Sequence, residues 1–173
     1  MRTARLIIAT TCALALGITL PGAVQAASAA GGASAQVNFC DGTRDANRDD
    51  GYFRAYDAIH CQPDVDGQSL GMTQGDDANW GNSLGAFRGP DSNKATSLIN
   101  TGTYSNGWNV VKVYSGTGYS GGHLCLGRND YIDNLATDRN GNRQTMSNGS
   151  TAANNTISSH QWVTSSSCAK WGW

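Results

Sequence analysis

Between residues 36 and 173, no stretch of ten or more residues carries the apolar spacing of three and four that makes an amphipathic helix. Aromatic and β-branched residues come instead in short runs, separated by Gly, Asn, Ser, Thr and Asp. A chain patterned this way has to bury its apolar side chains on short strands joined by frequent turns. Residues 52–56, 109–114, 123–126 and 158–164 are the clearest strand candidates. In the second, Val111 and Val113 face one side while Val110, Lys112 and Tyr114 face the other. Asp66-Gly67, Asn106-Gly107, Asn140-Gly141 and Asn148-Gly149 mark turns between the runs. The expectation is an all-β sandwich.

The N-terminus has the pattern of an export signal. Arg2 and Arg5 precede an uncharged apolar or small-residue run over 6–20, Pro21 and Gly22 break it, and Val24-Gln25-Ala26 offers the small residues that a signal peptidase reads. Cleavage is expected after Ala26, with Ala29 as the alternative. The run is short for a bilayer-spanning helix, and no later segment is apolar enough to span a membrane. Residues 27–35 form a small-residue leader without periodicity, expected to be disordered, ahead of one domain at 36–173. Without Arg2 and Arg5, 10 of the 12 Lys and Arg remain against 13 acidic residues, a net charge of −3. That balance gives nothing to attract nucleic acid or anionic lipid. No coiled-coil pattern or long apolar patch demands a partner, so a monomer is expected.

Cys12 leaves with the signal, and Cys40, Cys61, Cys125 and Cys168 remain. Four cysteines in an exported chain read as two disulfides with three possible connectivities. Pairing Cys40 with Cys61 and Cys125 with Cys168 keeps each bridge inside one half of the chain and is the expected arrangement. A cysteine metal site would want a spacing such as C-x-x-C, which does not occur.

The halves also resemble one another. Residues 36–103 and 109–168 each open on an aromatic-containing strand, pass through Gly-rich turns and close on a polar segment followed by an apolar run. Ser92-Asn93-Lys94-Ala95-Thr96-Ser97 lines up with Asn154-Asn155-Thr156-Ile157-Ser158-Ser159. In the second half, Tyr114-Ser115-Gly116-Thr117-Gly118-Tyr119-Ser120-Gly121 has an aromatic, four residues, an aromatic, one residue and Gly.

These two motifs, in this order, resemble those of βγ-crystallins. The resemblance implies a Greek-key β-sandwich with two Greek keys, the first at about 36–103 and the second at about 109–168. It makes Tyr114, Tyr119 and Gly121 the packed hairpin of the second key, with Ser159 and its counterpart Ser97 structural. It implies calcium binding by Asn154, Asn155, Thr156 and Ser158 of one segment and Asn93, Lys94 and Thr96 of the other, the two segments clamping ions between them. Calcium takes six to eight oxygens in flexible geometry, and an Asn carboxamide, a backbone carbonyl and a Ser hydroxyl supply that type of donor. With few carboxylates, the affinity should be modest. The first half departs from the pattern. Ser92 stands where the signature has Asn or Asp, and Tyr56 is followed by Asp57-Ala58-Ile59-His60-Cys61 rather than by a second aromatic.

Enzymatic readings find little support. Gly81-Asn82-Ser83-Leu84-Gly85 has the letters of a nucleophile elbow without the strand and helix that it needs. Gly118-Tyr119-Ser120-Gly121-Gly122 differs from a serine-protease nucleophile motif by Tyr for Asp. His60, His123 and His160 lie in no recognisable catalytic motif, and no catalytic residue is expected. Asp45-Ala46-Asn47-Arg48-Asp49-Asp50-Gly51 resembles the start of an EF-hand loop, but its Gly falls one position late and no Glu follows. Trp80, Trp108 and Trp162 are expected in the core, leaving Trp171 and Trp173 as the tryptophans whose exposure would point to glycan binding.

The signal peptide, disulfides and Greek keys are similar to those of the crystallin-fold metalloproteinase-inhibitor family of exported bacterial proteins. That resemblance implies a secreted inhibitor of an extracellular protease, its loop drawn from 62–90 or 128–153. The alternatives are a calcium-stabilised extracellular module without a protease target, an antimicrobial toxin-like protein, or a glycan-binding module.

Overall fold

The computed structural model describes residues 37–63, 69–103 and 106–173. The expected signal peptide, its leader and the Asp66-Gly67 turn lie outside the described residues. Among those residues the chain forms one short α-helix, α1 (Phe39–Ala46), three single-turn 3-10 helices, and seven strands: β1 (Phe53–Tyr56), β2 (Gly71–Thr73), β3 (Ser97–Asn100), β4 (Val110–Gly116), β5 (Ser120–Leu126), β6 (Asp130–Ile132) and β7 (Ser159–Val163).

All strand pairs are antiparallel and fall into two sheets, ordered β2-β1-β3-β6 and β5-β4-β7. The first half supplies β1, β2 and β3, and the second supplies β4 to β7. β6 therefore sits in the other half's sheet, paired with β3. The reciprocal exchange is made by Asp77, which bridges to His160 of β7 through backbone bonds of 2.9 Å in each direction. Each half is thus a four-element Greek key whose third element is lent to its partner's sheet. This is the crystallin-type arrangement, and the fold is all-β with two interlocked keys.

The apolar alternation of β4 explains the layering. Val111 and Val113 point into the space between the sheets, among Phe53, Leu98, Leu124, Leu126, Ile132 and Ile157. Val110 points outward to a smaller cluster with Cys125, Val163, Cys168 and Trp171. The outer face of the first sheet is covered by α1, which buries Cys40 against Tyr56, Cys61 and Ile99. Asn38 caps this helix, its side chain accepting from the Cys40 N–H at 2.9 Å. The eight residues of α1 are too few for their periodicity to stand out in the sequence, and the helix is held by the disulfide and by Arg44 lying over the Tyr131 ring. Both expected bridges are present, Cys40–Cys61 and Cys125–Cys168.

Two buried polar side chains join the keys. Asn100 of β3 donates to the carbonyls of Asn109 (3.0 Å) and Leu126 (2.9 Å) and accepts from Gly102 N–H (2.8 Å). His160 lies fully buried among Phe53, Phe87 and Trp80. Its Nδ1 accepts from the Trp80 indole N–H at 2.9 Å, so Nε2 carries the proton and donates to the Gly75 carbonyl at 3.0 Å.

The tryptophans divide differently from expectation. Trp80 is fully buried, while Trp162 is half-buried against the core. Trp108 is 57% exposed, because the Asn106-Gly107 turn, with positive φ at both residues, ends just before β4 begins and leaves the indole outside the sheet. Trp171 is half-buried and Trp173 half-exposed.

Burial pushes the His160 pKa from the ordinary 6.5 down to about 4. Between these values the unfolded chain binds a proton that the folded chain refuses, so stability is complete above pH 6.5 and falls as pH drops toward 4. The loss attributable to this group is about 3 kcal/mol. Urea unfolding at pH 7.5, 5.5 and 4.5 should show that decline, and His160→Gln should flatten it across this window. An unchanged slope in the variant would refute the assignment.

Candidate functional site

The site begins at two hairpin corners. After β4, Gly118 and Tyr119 take positive φ (65° and 60°), folding Tyr119 back until its ring lies 5.9 Å from that of Tyr114. Gly121 (φ 79°) holds a left-handed conformation that strains any other residue, and a Cβ there would also press on Ser115 Oγ at 2.5 Å. Ser159 locks the corner by donating to the Gly116 carbonyl (2.6 Å) and accepting from Tyr119 N–H (3.2 Å).

The first key repeats this geometry with different side chains. His60 and Cys61 take positive φ (59° and 52°). Ser97 donates to the Ala58 carbonyl (2.7 Å) and accepts from Cys61 N–H (3.0 Å). Cys61 therefore stands where Tyr119 stands in the second key, and its bond to Cys40 replaces the contact between aromatic rings. The apparent lack of a second aromatic after Tyr56 is a chemical substitution within a retained corner. The spacing from Tyr56 to Cys61, the same as from Tyr114 to Tyr119, was the available signal.

The two polar segments meet face to face. Asn93 N–H donates to the Ile157 carbonyl (2.8 Å), and Asn155 N–H donates to the Ala95 carbonyl (3.0 Å). Asn93 and Asn155 both adopt the left-handed conformation (φ 62° and 55°), which Asn tolerates better than most residues. That turn carries each carboxamide across to the opposite segment. Thr96 Oγ1 lies 3.2 Å from Asn155 Oδ1 and 3.4 Å from the Lys94 carbonyl. Reciprocally, the Ser158 hydroxyl donates to Asn93 Oδ1 (3.0 Å) and accepts from Ser92 (3.0 Å).

Two oxygen clusters result, each built from both keys. The sequence names their members except Ser92 but groups them by segment, whereas the fold pairs Asn155 with Thr96 and Asn93 with Ser158. Ser92, the departure from the signature, contributes its hydroxyl to the second cluster. Asn154 Oδ1 is buried without a hydrogen-bond partner among the described residues. The Thr156 hydroxyl is turned inward to the Ala152 carbonyl at 2.6 Å, so the side chain of Thr156 is not offered to either cluster. Among the described residues no group of three or more His, Cys, Asp and Glu is placed to hold a metal. The clusters consist of neutral oxygens, and the exposed Lys94 ammonium belongs to the same segment.

The other motifs resolve into structural roles. Asp45 pairs with Arg44 and Arg48, Asp49 with Arg128, and Asp50 with Arg54 and Thr101, so the EF-hand-like stretch is a set of ion pairs. Gly81 to Gly85 runs through bends rather than from strand to helix. Gly118 to Gly122 is the corner of the second key. His123 Nδ1 lies 3.0 Å from Ser147 Oγ, but that oxygen already accepts from His123 N–H (3.1 Å). His123 Nε2 is buried without a partner among the described residues, so no acid orients the ring.

No protein-family model and no curated protein matches the chain. A solved structure from a study of the evolution of the eye lens βγ-crystallin domain fold aligns with a TM-score of 0.42 and 16% identity, over 68% of this chain and 90% of that one. At that likeness the strand order described above, rather than the alignment, is the ground for the fold.

The corner serines carry a direct expectation. Ser97→Ala and Ser159→Ala each leave a part-buried carbonyl and an N–H without their serine partner, costing about 1–3 kcal/mol. Urea denaturation of each variant measures this, and losses below about 0.5 kcal/mol would show that the corners close without the hydroxyls.

Proposed function

We propose that the protein is a secreted extracellular module whose two Greek keys are cross-linked by calcium. The observation that carries this reading is the pair of reciprocal oxygen clusters. Asn155 Oδ1, Thr96 Oγ1 and the Lys94 carbonyl form one. Asn93 Oδ1, Ser158 Oγ and Ser92 Oγ form the other, with the Thr156 carbonyl as the internal-repeat counterpart of Lys94. A donor set made only of oxygen suits a hard cation, and water would complete the six to eight ligands. Asn154 Oδ1, buried and unpaired, adds a donor with lone pairs to spare.

Without carboxylates, such sites belong at the weak end of the range, with Kd of about 10⁻⁴–10⁻³ M, matched to extracellular rather than cytosolic calcium. Occupancy would stabilise the fold by about 1.4 kcal/mol per site at free calcium tenfold above Kd. The two disulfides and the export signal agree with an oxidising, extracellular location. The ligands of each cluster come from both keys, so calcium favours the state in which the keys are docked. A monomer suffices for this role.

A second reading, inhibition of an extracellular metalloproteinase, is favoured by one loop. Trp80 and Phe87, both fully buried, stack at 4.0 Å and clamp its base, while Leu84 at its tip is 71% exposed. Asn82 Oδ1 accepts from Leu84 N–H (2.7 Å), and Arg88 Nε donates to the Gly85 carbonyl (2.7 Å). A loop braced in this way would lose little entropy on entering a protease cleft.

Calorimetric titration of calcium into the metal-stripped, oxidised protein should give saturable heat at one or two sites and raise Tm. Asn155→Ala/Ser158→Ala, which takes one ligand from each cluster, should lose both responses. Absence of heat and of a Tm shift up to about 10 mM calcium would overturn the calcium reading. An inhibition panel of secreted metalloproteinases, with Leu84→Gly as the comparison, separates the second reading from the first.

A further inference from the structure

From a cleft that neither cluster uses, we infer that the protein binds neutral oligosaccharide, with Trp108 as the stacking platform. The cleft has a volume of about 250 Å³ and is lined by Gly51, Gln74, Thr103, Trp108 and Trp162. It lies where the start of β4 and the end of β7 meet the residues that follow β2, and it shares no residue with the polar segments at 92–97 and 154–159.

Its floor is fixed. Trp162 packs on the core, with its backbone N–H bonded to Asp76 at 2.8 Å. The ring lies directly over Gly102, where a Cβ would come 2.5 Å from Cζ3, so only glycine lets the indole settle. Gln74 is held by its Nε2, which donates to the Asp50 carbonyl at 3.0 Å. Asp50 is itself braced by Arg54 and Thr101. Trp108 is the exception, standing 57% exposed at the rim.

An indole left in water at the edge of a concave polar site is the feature a ligand would explain. The lining residues carry no charge, which disfavours an ion or an acidic ligand. A purely apolar ligand would cover Gln74 and Thr103 without replacing the water bonded to them. A sugar satisfies both demands. The C–H face of a pyranose ring covers the indole, and its hydroxyls bond to the carboxamide, the Thr hydroxyl and the Gly51 backbone. The open cleft takes one sugar unit and lets the neighbouring units of a chain run along the surface.

The test uses the intact oxidised protein, with cellohexaose, chitohexaose and mannohexaose as probes, followed by calorimetry and tryptophan fluorescence. Saturable binding of at least one probe is expected, weakened tenfold or more in Trp108→Ala and in Gln74→Ala but unchanged in Trp173→Ala, the control at the other exposed tryptophan. Circular dichroism confirms that the variants are folded. The inference is overturned if none of the three binds at millimolar concentration, or if binding survives in Trp108→Ala. It is equally overturned if binding is lost in Trp173→Ala instead.

Discussion

Each Greek key lends its third element to the sheet of the other. β6 closes the edge of β3, and Asp77 closes the edge of β7, so the strand edges that would otherwise be unpaired are satisfied only when the two keys dock. The core follows from the same exchange. Phe53, Trp80 and Phe87 of the first key pack with His160 of the second, and Asn100 of the first key bonds carbonyls of the second. Neither half has a complete sheet or a closed core by itself. The aligned contacts between the 92–97 and 154–159 segments lie across this same junction, so whatever binds there acts on docking.

The disulfides do a different job. Each closes a loop within one key, Cys40 and Cys61 being 21 positions apart and Cys125 and Cys168 43 positions apart. On the chain-entropy account these loops contribute about 3 and about 4 kcal/mol by restricting the unfolded chain. They pre-form parts of each key but do not join one key to the other. The first goes further, since Cys61 also replaces the folded-back aromatic of its corner and ties α1 over the outer face of the sheet. A covalent bond here fills a place that ring packing fills in the second key.

Much of this was legible in the residues, and the failures have physical causes. The strands expected at 52–56, 109–114, 123–126 and 158–164 correspond to β1, β4, β5 and β7, because aromatic and β-branched residues gather there against turn-forming Gly and Asn, although β5 begins three residues earlier, at Ser120. β2, β3 and β6 were not, being three or four residues long and supported by the sheet rather than by local preference. β3 also hides inside the polar segment, because its buried Ser97 and Asn100 are satisfied by bonds to distant backbone. The second corner was read from its aromatics, whereas the first was missed because a half-cystine took the aromatic's place. Apart from Ser92, the members of the oxygen clusters could be listed from the 92–97 and 154–159 repeat. Their cross-pairing could not, since it depends on the left-handed turn at Asn93 and Asn155. Trp108 was assigned to the core on residue type alone, and the turn that ejects it depends on where β4 starts.

The most direct test of interlocked keys is native-state hydrogen exchange at four amides. Asn93, Thr96, Asn155 and Ser158 donate to the carbonyls of Ile157, Tyr56, Ala95 and Tyr114. If docking is all-or-none, these amides exchange only through global unfolding, with one common opening free energy equal to that from urea denaturation. The Thr96 bond lies within the first key and the Ser158 bond within the second, so exchange at Thr96 while Ser158 remains protected, or the reverse, would contradict the account and show that one key stands without the other.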